Sequence, residues 1–192
     1  DATAREISGQ LHHRGGMSGG FGGYTVYFVA RANAAWTTSH VWAAGTPASS
    51  TLLTATGTDV GAALAIPADF QIAVGVSFVS LAGARANLAT EVPAIDVEAV
   101  AAAARAKWAT LLERVLITGG TEAQRRIFYT SLYHAFLMPT VIGDADGMYV
   151  LAGQTTPQRA VGWRQMSDLS LWDTYRTVAP LYAWLAPDSA RD

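Results

Sequence analysis

The sequence has no cysteine in its 192 residues, which removes disulfides, thiolate zinc sites and thiol nucleophiles together. Charge is scarce as well: 15% of residues are charged, the formal net charge is -2, and Lys and Arg are not clustered. A phosphate backbone requires a basic footprint, so nucleic acid is not an expected partner. No apolar run approaches the roughly 20 residues that span a bilayer, and no membrane span is expected. The amino terminus lacks the basic and apolar regions of a signal peptide, yet it opens at Asp1 in turn-rich sequence, which leaves room for a targeting segment upstream. A nucleophile elbow, a P-loop and a dinucleotide fingerprint are also absent, so acyl and phosphoryl transfer have no support.

What remains is a globular composition, 51% hydrophobic, with enough apolar material for a sizeable core. The length fits one domain or parts of two. Residues 1 to about 90 read as strands. The segments 24–30, 60–66 and 71–81 are rich in β-branched and aromatic residues, with Gly, Pro, Ser and Asp between them. In the last, Ile72, Val74, Val76 and Phe78 alternate with Gln71, Gly75 and Ser77, which predicts a sheet burying the first set. An antiparallel sandwich is favoured, because no helical pattern separates the strands.

The hydrophobic period changes after Pro93. Val97, Val100, Ala101, Ala104, Trp108, Leu111, Leu112 and Val115 form a helical stripe behind the capping residue Asp96. A second helix opens at Thr121, with Gln124 at the capping-box position and Phe128, Leu132, Ala135 and Phe136 on its buried side, and Pro139 ends it. A third is expected after Ser170, burying Leu171, Tyr175, Val178, Tyr182 and Leu185 and kinked at Pro180. Residues 1–90, 91–120 and 121–192 are therefore expected to be a β region, a linker with a helix, and a predominantly helical region.

Four features bear on chemistry. Asp144-Ala145-Asp146-Gly147 reads as a tight hairpin turn; it also matches the opening of a calcium loop, but later ligand positions are missing. His12, His13, His40 and His134 show no metal-ligand spacing. The run Gly15-Gly16-Met17-Ser18-Gly19-Gly20-Phe21-Gly22-Gly23 is either a flexible loop, the plainer reading, or a place where backbone approaches a ligand closely. The segment Ser170-Leu171-Trp172-Asp173-Thr174-Tyr175-Arg176 sets an indole beside a carboxylate and a guanidinium. That combination suits a sugar, whose C–H faces stack on aromatics and whose hydroxyls bond to ions. Its alternative is structural: Asp173 caps its helix and Arg176 pairs with it.

The stretch 170–176 resembles the Ser-Leu-Trp-Asp-Thr-Tyr-Arg signature of glycoside hydrolase family 92. Phe128-Tyr129-Thr130-Ser131-Leu132-Tyr133-His134 is similar to the family's Phe-Tyr-Thr-Ala-Leu-Tyr helix, and Asp144-Ala145-Asp146-Gly147 to its Asp-Val-Asp-Gly hairpin. Gly75-Val76-Ser77-Phe78-Val79-Ser80 with Ala84-Arg85-Ala86-Asn87-Leu88 resembles the strand and linker before its barrel, and Val26-Tyr27-Phe28-Val29-Ala30 another sandwich strand. The resemblance covers nearly the whole chain and implies a multi-domain α+β piece: the end of an antiparallel β-sandwich followed by the first helices of an (α/α)₆ barrel. The parent would remove terminal mannose from α-mannosides, α-1,2 linkages among them, by a calcium-assisted inverting mechanism, in a secreted or periplasmic setting. Its partners would be mannose-containing glycans and the rest of the barrel.

The resemblance gives Trp172 and Asp173 a substrate-binding role, with Arg176, Phe21 and Gly22 beside them. The family commonly carries a cysteine where Met17 or Ser18 stands, a departure in this sequence. Inversion needs a carboxylic acid and a carboxylate base about 6.5–9.5 Å apart. The resemblance puts that pair further along the barrel, so Asp144, Asp146 and Asp168 take no catalytic role, no calcium ligand is identified, and the chain alone is expected to be inactive. The competing readings are a non-catalytic carbohydrate-binding module and a structural domain; the helical half, carrying Trp172-Asp173, argues against both.

Overall fold

A computed structural model describes residues 6–36, 38–44, 46–47, 54–66, 69–167 and 170–192. The strands are β1 (Glu6–His13), β2 (Tyr24–Ala32), β3 (Thr38–Ala43), β4 (Thr46–Pro47), β5 (Val60–Ala65), β6 (Ile72–Ser77), β7 (Thr140–Val141), β8 (Met148–Tyr149), β9 (Gln158–Arg159) and β10 (Met166–Ser167). The helices are α1 (Leu81–Glu91), α2 (Val97–Leu112), α3 (Glu122–Ala135), α4 (Leu171–Thr174), α5 (Val178–Leu185) and α6 (Pro187–Arg191). All strand pairs are antiparallel, in sheets ordered β1-β2-β6 and β4-β3-β5 and in the pairs β7-β10 and β8-β9. The fold is thus mixed α and β with antiparallel sheets.

The largest departure from expectation is at β6. The strand alternates, but the buried set is Ala73, Gly75 and Ser77, while Ile72, Val74 and Val76 are 46%, 55% and 44% exposed. Helix α1, where the sequence reading continued the strand to Leu81, explains the reversal. Ser80 caps it by accepting from the Gly83 amide, and Ala84 and Leu88 pack on Val29 and Ala73. So close is the approach that a Cβ at Gly75 would sit 2.3 Å from the Ala84 carbonyl oxygen and 2.6 Å from the Leu88 Cβ. A helix needs a flat, small-residue face, so the strand turns its bulky side away.

Glu6 ties three elements at one edge of this layer. It is buried, and it meets Arg31 of β2 at 3.0 Å and Arg85 of α1 at 2.8 Å. Burial works against its charge, but the two guanidinium groups outweigh it and hold the Glu6 pKa below its ordinary value.

Asp96 caps α2 through the Ala99 amide, and Thr121 and Gln124 form the reciprocal capping box of α3, both as expected. Only the last turns of the α2 stripe are packed: Trp108, Leu111, Leu112 and Val115 lie against the cluster of Leu132, Phe136, Tyr182, Leu185 and Ala186, whereas Val97 and Val100 are exposed. The expected third helix is two. α4 is a single turn, and Leu171 and Tyr175 are exposed rather than buried. Pro180 stands in the first turn of α5, where an amide has no intrahelical acceptor, so it begins a helix instead of kinking one. Helix covers less than half of residues 121–192, because residues 136–167 are turns and irregular backbone carrying the two-residue strands β7 to β10. Among the described residues no helix is long and apolar enough to cross a membrane.

Candidate functional site

The segment 170–176 exposes its chemistry. Trp172 is 88% exposed, so none of the described residues covers its indole. Asp173 does not cap α4; its Oδ2 accepts from the Ser170 hydroxyl at 2.5 Å, while the Ser170 carbonyl accepts from the Asp173 and Thr174 amides at 3.0 Å and from the Thr174 hydroxyl at 2.8 Å. Arg176 does not pair with Asp173 but lies over the Tyr175 ring, 5.0 Å from its centroid. Asp173 thus makes its local contact with the hydroxyl of the N-cap residue Ser170 rather than with Arg176. An exposed indole beside a carboxylate fixed by one hydroxyl leaves oxygen lone pairs free for a ligand's hydroxyl groups.

The glycine run is not a featureless loop. Residues Gly16–Phe21 form a 3₁₀ helix, followed by Gly22 and Gly23 at φ +89 and +84, a left-handed pair that only glycine adopts without strain. Phe21 is 68% exposed. Behind the turn stands His12 of β1, opposite Thr25 of β2, with Nε2 3.1 Å from the Gly22 carbonyl oxygen and Nδ1 3.0 Å from the Thr25 hydroxyl. In front, the Gly153 amide donates to the Gly23 carbonyl at 3.2 Å. Gly153 carries no mark in the sequence, and His12 enters there only as one of four histidines without metal-ligand spacing, because each matters only through strand pairing and loop docking. Among the described residues no hydrogen bond, ion pair or ring contact joins Trp172, Asp173 or Arg176 to Phe21 or Gly22.

Asp144-Ala145-Asp146-Gly147 makes the expected turn: the Gly147 amide donates to the Asp144 carbonyl at 2.8 Å and Gly147 has φ +85. It leads into the β8-β9 pair. The Asp144 side chain is buried and accepts from Ser77 Oγ at 2.9 Å and Asn87 Nδ2 at 2.8 Å, and Asn87 Oδ1 accepts from the Ala145 amide at 2.7 Å. Burial raises its pKa, opposed by those two donors. Asp146 accepts from the Met148 amide and stands 3.7 Å from Arg159. Both carboxylates are thus engaged by protein groups, and among the described residues no cluster of three His, Asp or Glu could hold a metal ion. Asp168 lies outside the described residues.

The chain belongs to glycosyl hydrolase family 92: the model of the family's catalytic domain matches residues 83–192. Among solved structures, the gh92 family glycosyl hydrolase ccman5 is 27% identical with a TM-score of 0.84, covering 97% of this chain and 25% of that one. An inverting mannosidase of family GH92 from Bacteroides thetaiotaomicron is 24% identical, with a TM-score of 0.77 over 95% of this chain and 25% of that one. A GH92 α-mannosidase from the same organism, in complex with mannoimidazole, is 23% identical, with a TM-score of 0.80 over 96% and 25% of the two chains. The chain therefore spans about a quarter of the length of these solved relatives. No curated protein sequence matches it.

Proposed function

We propose that this chain is the segment of a family 92 exo-acting α-mannosidase in which a β-sandwich, residues 1–90, passes through a linker, 91–120, into the opening of an (α/α)₆ barrel, 121–192. Trp172 and Asp173 bind the terminal mannose, assisted by Arg176, Phe21 and Gly22. The acid, the base and the calcium ion of the inverting reaction are held by other parts of the parent, which acts on α-1,2-linked mannosides in a secreted or periplasmic setting. The observation that carries this reading is the 88% exposure of Trp172 beside an Asp173 carboxylate bonded to the Ser170 hydroxyl, within the region the family model matches. The mannoimidazole complex of a solved relative supports mannose as the sugar. Surface area supports a segment of something larger: the chain exposes 12929 Å², against about 8,800 Å² for a compact 20.3 kDa monomer.

The test compares Asp173→Ala with Thr121→Ala in the full-length parent, by kcat/KM on an α-mannobiose and by thermal unfolding. Thr121 caps α3, so its loss costs about 0.5–2 kcal/mol of stability and little turnover. Asp173→Ala is expected to unfold near wild type and to lose at least roughly a hundredfold in kcat/KM, since each tenfold is about 1.4 kcal/mol of transition-state stabilisation. Equal activity in the two variants would show that Asp173 has no part in binding the sugar.

A further inference from the structure

We propose that His12 and Gly153 are positioning residues that clamp the Phe21-Gly22-Gly23 turn from opposite sides and aim the exposed Phe21 ring at the sugar. The inference rests on the reading that Phe21 and Gly22 belong to the substrate pocket.

Two consecutive glycines in left-handed conformation make a turn possible but leave it soft, because glycine loses more backbone entropy on ordering than any other residue. The outward handles of this turn are its carbonyls, and both are held. A carbonyl only accepts, so His12 Nε2 carries the hydrogen at 3.1 Å from Gly22 O; in the neutral ring Nδ1 is then an acceptor, facing the Thr25 hydroxyl at 3.0 Å. One imidazole thus fastens the turn to the β1-β2 ladder.

The second grip comes from a distant part of the chain. Gly153 follows β8, and its amide reaches Gly23 O at 3.2 Å while its own φ is +75. A Cβ at Gly153 would lie 2.0 Å from the Phe21 carbonyl oxygen, so no side chain fits between the two segments. Gly153 is steadied in turn by the Gln154 amide bonded to the Leu151 carbonyl at 2.9 Å, and the stretch it belongs to starts from Asp144, itself fastened to Ser77 and Asn87. Through this chain of contacts the catalytic-domain segment sets the conformation of a turn in the strand-rich segment. A braced turn bears its ordering cost before the ligand arrives, which favours binding by an exposed aromatic such as Phe21.

The test uses the full-length parent with His12→Ala, His12→Gln, Gly153→Ala and Phe21→Ala. Hydrogen–deuterium exchange is followed on a peptide covering residues 20–24, with a peptide from α3 as folding control, beside kcat and KM on an α-mannobiose. Glutamine carries its amide nitrogen where histidine carries Nε2, so His12→Gln keeps the donor. The expected result is exchange and KM both raised roughly fivefold or more in His12→Ala and Gly153→Ala, as loss of one hydrogen bond allows. kcat is expected to change less, and His12→Gln to stay near wild type. Unchanged exchange in the two Ala variants overturns the clamp, as does an activity loss that His12→Gln fails to restore. Failure of the underlying reading looks different: Phe21→Ala leaves kcat/KM unchanged while exchange in His12→Ala still rises, and the positioning role falls with it.

Discussion

Replacing Asp144 with Ala removes the acceptor of two buried donors at once. The Ser77 hydroxyl, 2.9 Å away, already accepts from the Val79 and Ser80 amides, so its single hydrogen has nowhere else to go in a residue 2% exposed. Asn87 keeps the Val76 carbonyl and the Ala145 amide but loses the partner of one amide hydrogen. A stranded buried donor costs about 1–3 kcal/mol, so the pair predicts a loss of roughly 2–6 kcal/mol. For a chain of this size that lowers Tm by roughly 4–24 °C. Asp146→Ala is the control, since its 3.7 Å pair with Arg159 is exposed on both sides and worth about 0–1 kcal/mol, and the Met148 amide it releases is also at an exposed position. Thermal unfolding by circular dichroism at several pH values makes the measurement. The pKa of Asp144 is raised in the folded state, so the folded chain holds that proton more tightly than the unfolded chain. Its stabilising contribution is present at acid pH and is lost as pH rises through the raised value. In Asp144→Asn that limb of the stability profile should vanish. Equal Tm shifts for Asp144→Ala and Asp146→Ala, or an unaltered profile in Asp144→Asn, would refute the reasoning.

Glu6 carries the opposite sign. Its folded pKa is lowered, so its contribution is present above the unfolded value and is lost as pH falls through the folded one. The urea midpoints of wild type and Glu6→Gln should differ at pH 7 and converge as pH falls through the lowered folded pKa. Gly75→Ala should destabilise by about 1–3 kcal/mol through overpacking against Ala84 and Leu88, whereas the exposed Val74→Ala should cost under about 1 kcal/mol; urea titration of both variants decides it. The isolated 192-residue chain should release no mannose above a blank from an α-mannobiose; release would place the acid and base within it.

The sequence by itself determined the local events, because each depends on neighbours a few residues away. The Asp96 cap, the Thr121-Gln124 box and the Asp144-Gly147 turn are all readable from one short window, and the signature around Trp172-Asp173 is a string. Tertiary structure decided which faces those elements present. Alternation in β6 marked two faces but not which one is buried; that was settled by α1, which packs on the side where Gly75 lets a helix approach. Spacing placed Leu171 and Tyr175 on one stripe with Tyr182, yet the helix is interrupted between α4 and α5 and the stripe is never assembled. His12 and Gly153 lie 141 residues apart in the numbering, and neither has a local pattern to mark it. Their shared role arises only when β1 pairs with β2 and the segment after β8 docks on the glycine turn, since hydrogen bonds across such separations are set by packing and not by periodicity.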